Sequence, residues 1–377
     1  MRVLFQFLLT VALTGFTSLC LAQELVHHQI QHDGIERRYA IYVPASYTGS
    51  KPVPLMFNFH GYTGTHTGHM VFSGDMRPQA DSAGFILVYP LGSQDAWGKN
   101  HWNVGSWTSG SSADDIGFTI RMIDTLSLLY SIDLDRVYSC GYSNGGYFSF
   151  VLACELSDRI AAVASVGGTM SVQTFNSCSP VHPTPVMTVH GTEDAIVSYY
   201  GGQPGGSMSM DRVSSYWNEF NKTDSIAQTT ELPDIVTTDG SVVRRYVWAN
   251  GHNETSVEHL EVVGGGHDWI GMWGNRDTHA SQEIWDFVSL YDINGRIGRS
   301  WDPTAPILLY PNPAGTSVTV QASELYNQMS ITDLSGRTMY QGTALNQPID
   351  IAGWNTGIYL VTISGESGSL TRKLVVD

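Results

Sequence analysis

The chain has 377 residues, 42% of them hydrophobic and 14% charged, and a formal net charge of −16 at pH 7. This size and composition are typical of a globular protein with one large domain and a smaller one. The negative charge argues against nucleic acids and anionic membrane surfaces as partners.

The N-terminal segment has the pattern of an export signal. A single arginine is followed by a long apolar run, and the small residues Cys20 and Ala22 precede Gln23 by three positions and one position. This predicts a signal peptide over residues 1–22. The alternative is a membrane anchor. The apolar run is short for a transmembrane helix, and the residues on either side of it are those of a signal peptide. No later segment is apolar enough to span a bilayer, so the mature chain is expected to be exported.

Residues 23–292 alternate between strand and helix patterns. They open with a predicted hairpin at 25–44, which turns at His32-Asp33-Gly34. Further strands are predicted at 53–59, 85–89, 137–140, 160–166, 185–189, 242–248 and 257–263, and helices at 114–130, after Gly145, at 210–220 and at 281–291. This order predicts the α/β class, with a doubly wound, mostly parallel sheet and catalytic groups on the loops after the strands.

The last part of the chain changes character. Residues 293–305 have no periodicity and are predicted to be a linker. Residues 306–377 contain short alternating segments at 317–321, 329–333, 338–341, 358–363 and 369–376, separated by Gly, Asn and Ser turns. They predict a small all-β sandwich, and no cluster of Ser, His, Asp or Glu there suggests chemistry.

A nucleophile is predicted at Ser143. The motif Gly141-Tyr142-Ser143-Asn144-Gly145 stands between a predicted strand and a predicted helix. A serine in this sharp strand-to-helix turn projects its Oγ above the sheet. The bare pattern occurs by chance in chains rich in Gly and Ser, but here both flanking elements fit.

A serine hydroxyl needs a base, and the base needs a carboxylate to orient it. In α/β-hydrolases these groups follow in the order Ser, Asp or Glu, His, each at a strand end. Asp194 follows the strand at 185–189, and His267 follows the strand at 257–263 through three glycines. They are the predicted acid and base. Glu193 is the alternative to Asp194 as the acid. The alternatives to His267 as the base are the other histidines that follow Asp194 in the chain, His252, His259 and His279.

Two backbone amides should stabilise the oxyanion. The residue after the nucleophile, Asn144, is predicted to supply one, and Tyr62 in the loop after 53–59 the other. His60-Gly61 in this loop resembles the HG motif of esterases, although it is also compatible with a tight turn. No metal-ligand motif or phosphate-cradling glycine motif is present, so neither a metal nor a cofactor is predicted.

After signal cleavage three cysteines remain, which predicts one disulfide and one free thiol in an oxidising compartment. Cys140 lies in the buried strand before Ser143 and is expected to pack as a small hydrophobic residue. The predicted pair is Cys154 and Cys178, which would tie a loop to the helix after the nucleophile.

Four motifs resemble the polyhydroxybutyrate depolymerase/feruloyl esterase family, carbohydrate esterase family 1. They are HGYTG, GYSNGG, HGTEDAIVSY and GGGHDWIG, and they occur in the family order over about residues 25–292. The resemblance implies an α/β-hydrolase fold and an extracellular serine esterase with the triad on Ser143, Asp194 and His267. A disulfide between Cys154 and Cys178 is similar to a feature of such enzymes.

The tail resembles a type IX secretion sorting domain through Tyr310-Pro311-Asn312-Pro313, Gly357-Ile358-Tyr359 and Lys373-Leu374-Val375-Val376. This resemblance implies passage through the periplasm of a Gram-negative bacterium, recognition by the secretion machinery, and removal or surface anchoring of the tail. The alternative is a carbohydrate-binding sandwich, which the lack of a row of aromatic residues disfavours.

The sequence therefore predicts a secreted serine esterase that acts through an acyl-enzyme, with feruloyl or acetyl esters on plant cell-wall xylan as the first substrate choice. Trp102, Trp107 and Trp269 are candidates to flank the substrate, although each is also a candidate for the core. The alternatives are an extracellular polyhydroxybutyrate-type polyester depolymerase, a peptidase that shares the triad, and a catalytically silent carbohydrate-binding protein on a hydrolase fold.

Overall fold

The computed structural model describes residues 24–297 and 308–376, apart from 109, 203–205, 311, 313, 322–325, 335, 344–346 and 366–367. The predicted signal peptide and most of the predicted linker lie outside the described residues. Within them, no helix has the length and apolar character needed to cross a bilayer.

The first part of the chain alternates strands with helices. Its strands are β1 (Glu24–His32), β2 (Ile35–Val43), β3 (Val53–Phe59), β4 (Ile86–Pro90), β5 (Ser93–Gln94), β6 (Asn100–His101), β7 (Ile132–Tyr142), β8 (Ala162–Val166), β9 (Val186–Gly191), β10 (Gln228–Glu231), β11 (Val242–Trp248), β12 (Val257–Val263), β13 (Tyr291–Asp292) and β14 (Gly295–Arg296). Its α-helices are α1 (His66–Phe72), α2 (Arg77–Ala83), α3 (Asp115–Leu129), α4 (Asn144–Glu155), α5 (Val172–Ser177), α6 (Met210–Asn221) and α7 (Ala280–Val288), and 3₁₀ turns lie at Ser106–Thr108 and His252–Glu254.

Ten strands form one mixed sheet in the order β1-β2-β4-β3-β7-β8-β9-β12-β11-β10. The six central strands, from β4 to β12 in this order, run parallel, and antiparallel pairs close both sides. The predicted fold class is confirmed. Because parallel strands end at the same edge, the loops after β7, β9 and β12 meet there.

The sheet is covered on both faces, which explains the continuous apolar runs of its central strands. Successive residues of β3 point to opposite sides, so Leu55, Phe57 and Phe59 join one buried cluster and Met56 joins the other. All five residues of β8 are buried. A rigid, two-sided core therefore supports the edge at which the predicted site residues lie.

Several short elements had no sequence signal. Helix α1 contains Gly68 and is capped by Thr65, whose hydroxyl accepts a hydrogen bond from the Gly68 amide. Helix α2 has a proline in its first turn and is followed by its C-cap Gly84 in the left-handed conformation. Seven-residue helices are too short to show a clear apolar period. Helix α5 has only six residues and strand β10, QTTE, has no apolar residue, so neither was predicted. Helix α7 ends at Val288 rather than at 291.

The hairpin of β13 and β14 begins immediately after α7. The amide of Ile293 donates to the carbonyl of Asp135, so the chain is still attached to the large sheet at this point. The predicted linker, residues 293–305, thus starts within ordered structure, and its residues from 298 onward are outside the described part of the chain.

The tail forms two antiparallel sheets with a core of their own. Its strands are β15 (Leu308–Tyr310), β16 (Ser317–Gln321), β17 (Tyr326–Asp333), β18 (Thr338–Gly342), β19 (Pro348–Asp350), β20 (Gly357–Gly365) and β21 (Gly368–Val376). The sheet orders are β15-β16-β19 and β18-β17-β20-β21. Inward side chains such as Val318, Ile331, Val361 and Leu374 are fully buried between them. This is the predicted small β-sandwich.

The predicted disulfide between Cys154 and Cys178 is present and closes 24 residues of chain between α4 and the end of α5. A cross-link over a loop of this length stabilises a fold by about 3 kcal/mol in the chain-entropy model. We expect Cys154→Ala/Cys178→Ala to lower the free energy of unfolding by that amount in a urea titration. A reducing agent should destabilise the parent chain equally and leave the double variant unchanged. If reduction does not alter the parent chain, the cross-link adds nothing to its stability.

A buried ion cluster predicts a pH-dependent stability. Arg245 lies 3.3 Å from Glu258 and 2.5 Å from Glu283. Burial raises the pKa of Glu258 from its ordinary value of 4.5 to about 7, although Arg245 opposes the shift. The folded chain therefore holds this proton more tightly than the unfolded chain, so the free energy of unfolding falls as the pH rises from about 4.5 to about 7.

We expect Glu258→Gln to lose less stability over this pH range than the parent chain, because glutamine carries no titrating proton. Urea unfolding at a series of pH values measures the effect. Glu254→Gln is the matched control, since Glu254 is exposed and should leave the slope as it is. Parallel curves for the parent chain and Glu258→Gln would exclude this role of Glu258.

Candidate active site

Ser143 lies at the junction of β7 and α4 in a conformation that few residues adopt. Its φ is 52° and its ψ −117°, and it forms the N-cap of α4. Its amide donates to the carbonyl of Val166 at 2.8 Å. A Cβ on Gly145 would lie 2.1 Å from the carbonyl oxygen of Phe59, so only glycine fits there. The strand, strained turn and helix predicted from the motif are all present.

Asp194 and His267 are joined at the same edge of the sheet. The Nδ1–H of His267 donates to Oδ2 of Asp194 at 2.6 Å, across 73 positions of sequence. The Asp194 side chain is fully buried, whereas His267 is partly accessible. Glu193, the rival acid, points outward. The arrangement leaves the other ring nitrogen of His267 to exchange a proton.

Asp194 is held as a carboxylate by four hydrogen-bonding groups. Its Oδ1 accepts from the amides of Ile196 and Val197 at 2.8 Å each. Its Oδ2 accepts from His267 and lies 3.3 Å from Nε2 of His190, which also bonds the Val197 carbonyl at 2.8 Å. Burial alone would raise the pKa of Asp194, but the hydrogen bonds from His190 and His267 outweigh it and hold the pKa well below its ordinary value. The acid therefore stays ionised at neutral pH.

Residues 166–168 bring His267 next to Ser143. The carbonyl of Val166 binds the Ser143 amide, and a Cβ on the following Gly167 would lie 3.2 Å from the His267 ring. The Tyr142 hydroxyl donates to the His267 carbonyl at 2.5 Å, and the two rings are 4.9 Å apart. The structure records no hydrogen bond between Ser143 Oγ and the His267 ring, and such a bond often tightens only when substrate binds.

The predicted oxyanion loop passes directly beside the nucleophile. A Cβ on Gly61 would lie 3.3 Å from Cβ of Ser143, which brings the neighbouring residue Tyr62 to the site. Asn144 is the first residue of α4, so its amide has no partner within the helix. The Asn144 side chain is fixed by two hydrogen bonds to the backbone of Trp102.

His60 anchors this loop and is more than part of a tight turn. Its Nδ1–H donates to the carbonyl of Gly61 at 2.7 Å, and its Nε2 accepts from the amide of Gly92 at 2.9 Å. Burial lowers its pKa to about 4, so the ring is neutral. A neutral ring provides one donor and one acceptor, as the two bonds require.

Two of the three predicted substrate tryptophans are corrected by the structure. Trp102 and Trp269 are both 0% exposed. Trp102 stacks on Phe148 and donates its Nε1–H to the carbonyl of His60, and Trp269 donates its own to the Ser281 hydroxyl. Their rings are core and loop supports, with no face left for a substrate.

Trp107 differs from the other two tryptophans because it is 37% exposed. Its ring meets Tyr62 edge to face at 5.9 Å and Tyr147 at 5.8 Å. It therefore lies beside the loop that passes Ser143, with part of its surface open to solvent.

Sequence reasoning missed His190 and Tyr142. Both lie within motifs that were used for other reasons: His190 precedes the loop of Asp194, and Tyr142 precedes Ser143. The sequence did contain a signal for His190: the pair His190-Gly191 stands at the end of a strand, as His60-Gly61 does. The rival histidine His259 is buried and lies 2.8 Å from the Thr188 hydroxyl, away from the nucleophile.

The chain is similar to curated esterases. It is 26% identical over 270 residues to a bifunctional acetylxylan esterase/xylanase of Neocallimastix patriciarum, covering 72% of this chain and 36% of that protein. It is 32% identical over 169 residues to feruloyl esterase B of Piromyces equi, covering 44% of this chain and 31% of that protein. The chain thus spans about a third of the length of these two relatives. They confirm the resemblance that the four motifs predicted.

A solved acetyl xylan esterase from Aspergillus awamori superimposes with a TM-score of 0.48 and 15% identity, over 70% of this chain and 99% of that one. Residues 308–377 match the family model described as a secretion system C-terminal sorting domain. This match confirms the predicted sorting tail and indicates an exported or cell-surface protein.

Proposed function

We propose that this chain is an exported serine esterase that hydrolyses feruloyl or acetyl esters on plant cell-wall xylan. The observation that supports it most is the 2.6 Å bond between His267 and the buried carboxylate of Asp194, beside a serine in a strained turn. The names of the relatives support the xylan-ester substrate class. The sorting tail supports a route through the periplasm of a Gram-negative bacterium.

The proposed reaction has two halves. Ser143 Oγ attacks the ester carbonyl while His267 takes its proton, and His267 then gives that proton to the departing alcohol. Asp194 orients the ring and stabilises its charged form. The amides of Asn144 and Tyr62 stabilise the tetrahedral oxyanion. A water molecule, activated by His267, cleaves the acyl-enzyme and returns Ser143 to its free form.

The test is to follow p-nitrophenyl acetate, methyl ferulate and acetylated xylan with the same preparation. We expect turnover of at least one ester and, on rapid mixing with p-nitrophenyl acetate, an acetyl group on the peptide that contains Ser143, detected by mass spectrometry. The ratio of rates between substrates reports the preferred acyl group. Inertness toward all three, or turnover with no acylation of Ser143, would refute the proposal.

Trp107 is proposed to contact an aromatic acyl group, because it is the one predicted substrate tryptophan with an open ring face. We expect Trp107→Ala to raise KM for methyl ferulate by about tenfold, as for loss of an aromatic contact worth about 1–1.5 kcal/mol. The KM for p-nitrophenyl acetate should change little, since its acyl group has no ring and its aromatic ring belongs to the departing alcohol. Equal changes for both substrates would instead indicate a general disturbance of the loop.

A further inference from the structure

A cavity lies away from the nucleophile. Its volume is about 810 Å³, and it is lined by one side of α6, by β11 and β12, and by the loops at both ends of that helix. Neither Ser143 nor His267 lines it. We call it the α6 groove. Its size is within the range of sites that hold small organic ligands or segments of polymers.

The floor of the α6 groove is a row of flat rings. On β11, Tyr246 and Trp248 stack with centroids 6.0 Å apart and planes at 18°, and His259 on β12 stacks on Tyr246 with the same spacing and angle. Alternate residues of a strand share one face, and Tyr246 is the direct partner of His259 in the register. The floor is therefore continuous across two strands.

Hydrogen bonds hold this floor in place. His259 lies 2.8 Å from the Thr188 hydroxyl and 2.9 Å from the Tyr199 hydroxyl. The Tyr246 hydroxyl donates to Glu261 at 3.0 Å. Burial lowers the pKa of His259 to about 3, so the ring stays neutral. A site fixed before its ligand arrives loses little entropy on binding.

The walls of the groove supply hydrogen-bond acceptors. Asp211, Ser215 and Glu219 follow one another at four-residue spacing on the side of α6 that lines the groove. At the mouth, the Tyr200 side chain is 73% exposed and its ring meets Tyr199 at 5.3 Å. This is a large exposed aromatic surface that the protein itself does not cover.

The charge of the groove restricts its ligand. Asp211, Glu219 and Asp224 outweigh Lys222, which disfavours phosphates, uronates and other anions. A cationic ligand fits less well, because Glu261 is already paired with Arg244 at 3.1 Å and Asp224 accepts a hydrogen bond from Asn250. Only Asp211 and Glu219 are then left to face Lys222. A neutral ligand with many hydroxyl donors and apolar C–H faces matches both the carboxylates and the rings.

We propose that the α6 groove binds a neutral oligosaccharide segment of a polysaccharide, at a distance from the site of ester cleavage. The choice of xylan as the polysaccharide rests on the proposed function, whereas the binding of a neutral oligosaccharide is inferred from the groove alone. Helix α6 has 12 residues and is about 18 Å long, so the groove accommodates several linked sugars.

The position of the groove connects it to the catalytic edge. Tyr200 lies six positions after Asp194 in the same loop, at the edge where β9 ends, whereas Trp248 pairs with Val257 at the start of β12. The groove therefore runs from the catalytic edge of the sheet toward the opposite edge. A polymer held along it stays close to the nucleophile, and the gain in effective concentration applies only to polymeric substrates.

The test uses the full chain carrying Ser143→Ala, so that binding is measured without turnover, with an ester-free xylan as the probe. We expect Tyr200→Ala/Trp248→Ala in this background to weaken binding by about tenfold or more. With Ser143 intact, the same pair should leave turnover of p-nitrophenyl acetate unchanged. Leu128→Ala is the matched control, because Leu128 is 87% exposed on α3 and does not line the groove.

Trp248 also packs against the core, so Tyr200→Ala/Glu219→Gln serves as a second, surface-only pair with the same expected loss. Unchanged xylan binding in this pair, or tighter binding of oligolysine or polygalacturonate than of xylan, would overturn the inference. A chain that binds xylan through the groove but hydrolyses no ester would refute the esterase proposal and leave this one standing. A chain that hydrolyses esters but binds xylan independently of the groove would refute this inference and leave the esterase proposal standing.

Discussion

Ser143→Ala is expected to reduce ester turnover by at least about 10⁴-fold. Alanine lacks the hydroxyl that forms the acyl-enzyme. The oxyanion amides of Asn144 and Tyr62 would remain, and they account for any residual rate above that of water. Steady-state hydrolysis of p-nitrophenyl acetate measures the loss.

Ser127→Ala on α3 is the matched control for this experiment, because it removes a serine hydroxyl far from the catalytic edge. Both variants should unfold at denaturant concentrations close to that of the parent chain. A Ser143→Ala variant that keeps a tenth or more of the parent rate would mean that another group attacks the ester, and the proposed mechanism would have to be abandoned.

Asp194→Asn is expected to lower kcat by about 10⁴-fold with a smaller change in KM. The amide nitrogen of asparagine would face His267 Nδ1 and favour the tautomer in which the other ring nitrogen carries the proton. That nitrogen then has no lone pair with which to deprotonate Ser143. The buried position of Asp194 and its bonds to the amides of Ile196 and Val197 leave no room for a second carboxylate to replace it.

Glu193→Gln provides a stringent comparison, since Glu193 is the adjacent residue and the alternative acid in the sequence pattern. Its side chain is exposed, and only its backbone amide contacts the base loop, through the carbonyl of Gly265. We expect kcat to remain within about twofold of the parent value. Similar losses in the two variants would show that the loop, rather than the Asp194 carboxylate, supports the reaction.

Strong local patterns predicted the elements that carry the site. The bounds of β3, β11 and β12 agree with the predicted ranges, because apolar runs and alternation report directly which side of a strand is buried. The pairing of Asp194 with His267 also followed from the sequence, although 73 positions separate them. Parallel strands bring their ends to one edge whatever the length of the intervening chain.

What the sequence could not predict depends on packing between distant segments. Nothing near Trp102 indicates that its indole would lie under the His60 carbonyl, 42 positions away, so the sequence could not decide between a substrate contact and a place in the core. His190 became a partner of Asp194 only because the loop after β9 folds back on itself. The α6 groove likewise requires a helix and two strands to meet, which no local pattern records.

The backbone of Ser143 has a consequence for any attempt to engineer this protein. Glycine adopts a φ of this sign without steric cost, so Ser143→Gly would release about 1–3 kcal/mol of strain. This exceeds the roughly 0.4–1 kcal/mol that glycine costs through the unfolded chain. A directed-evolution campaign that rewards heat resistance alone would therefore favour loss of the nucleophile, and each round would need a parallel screen for ester turnover.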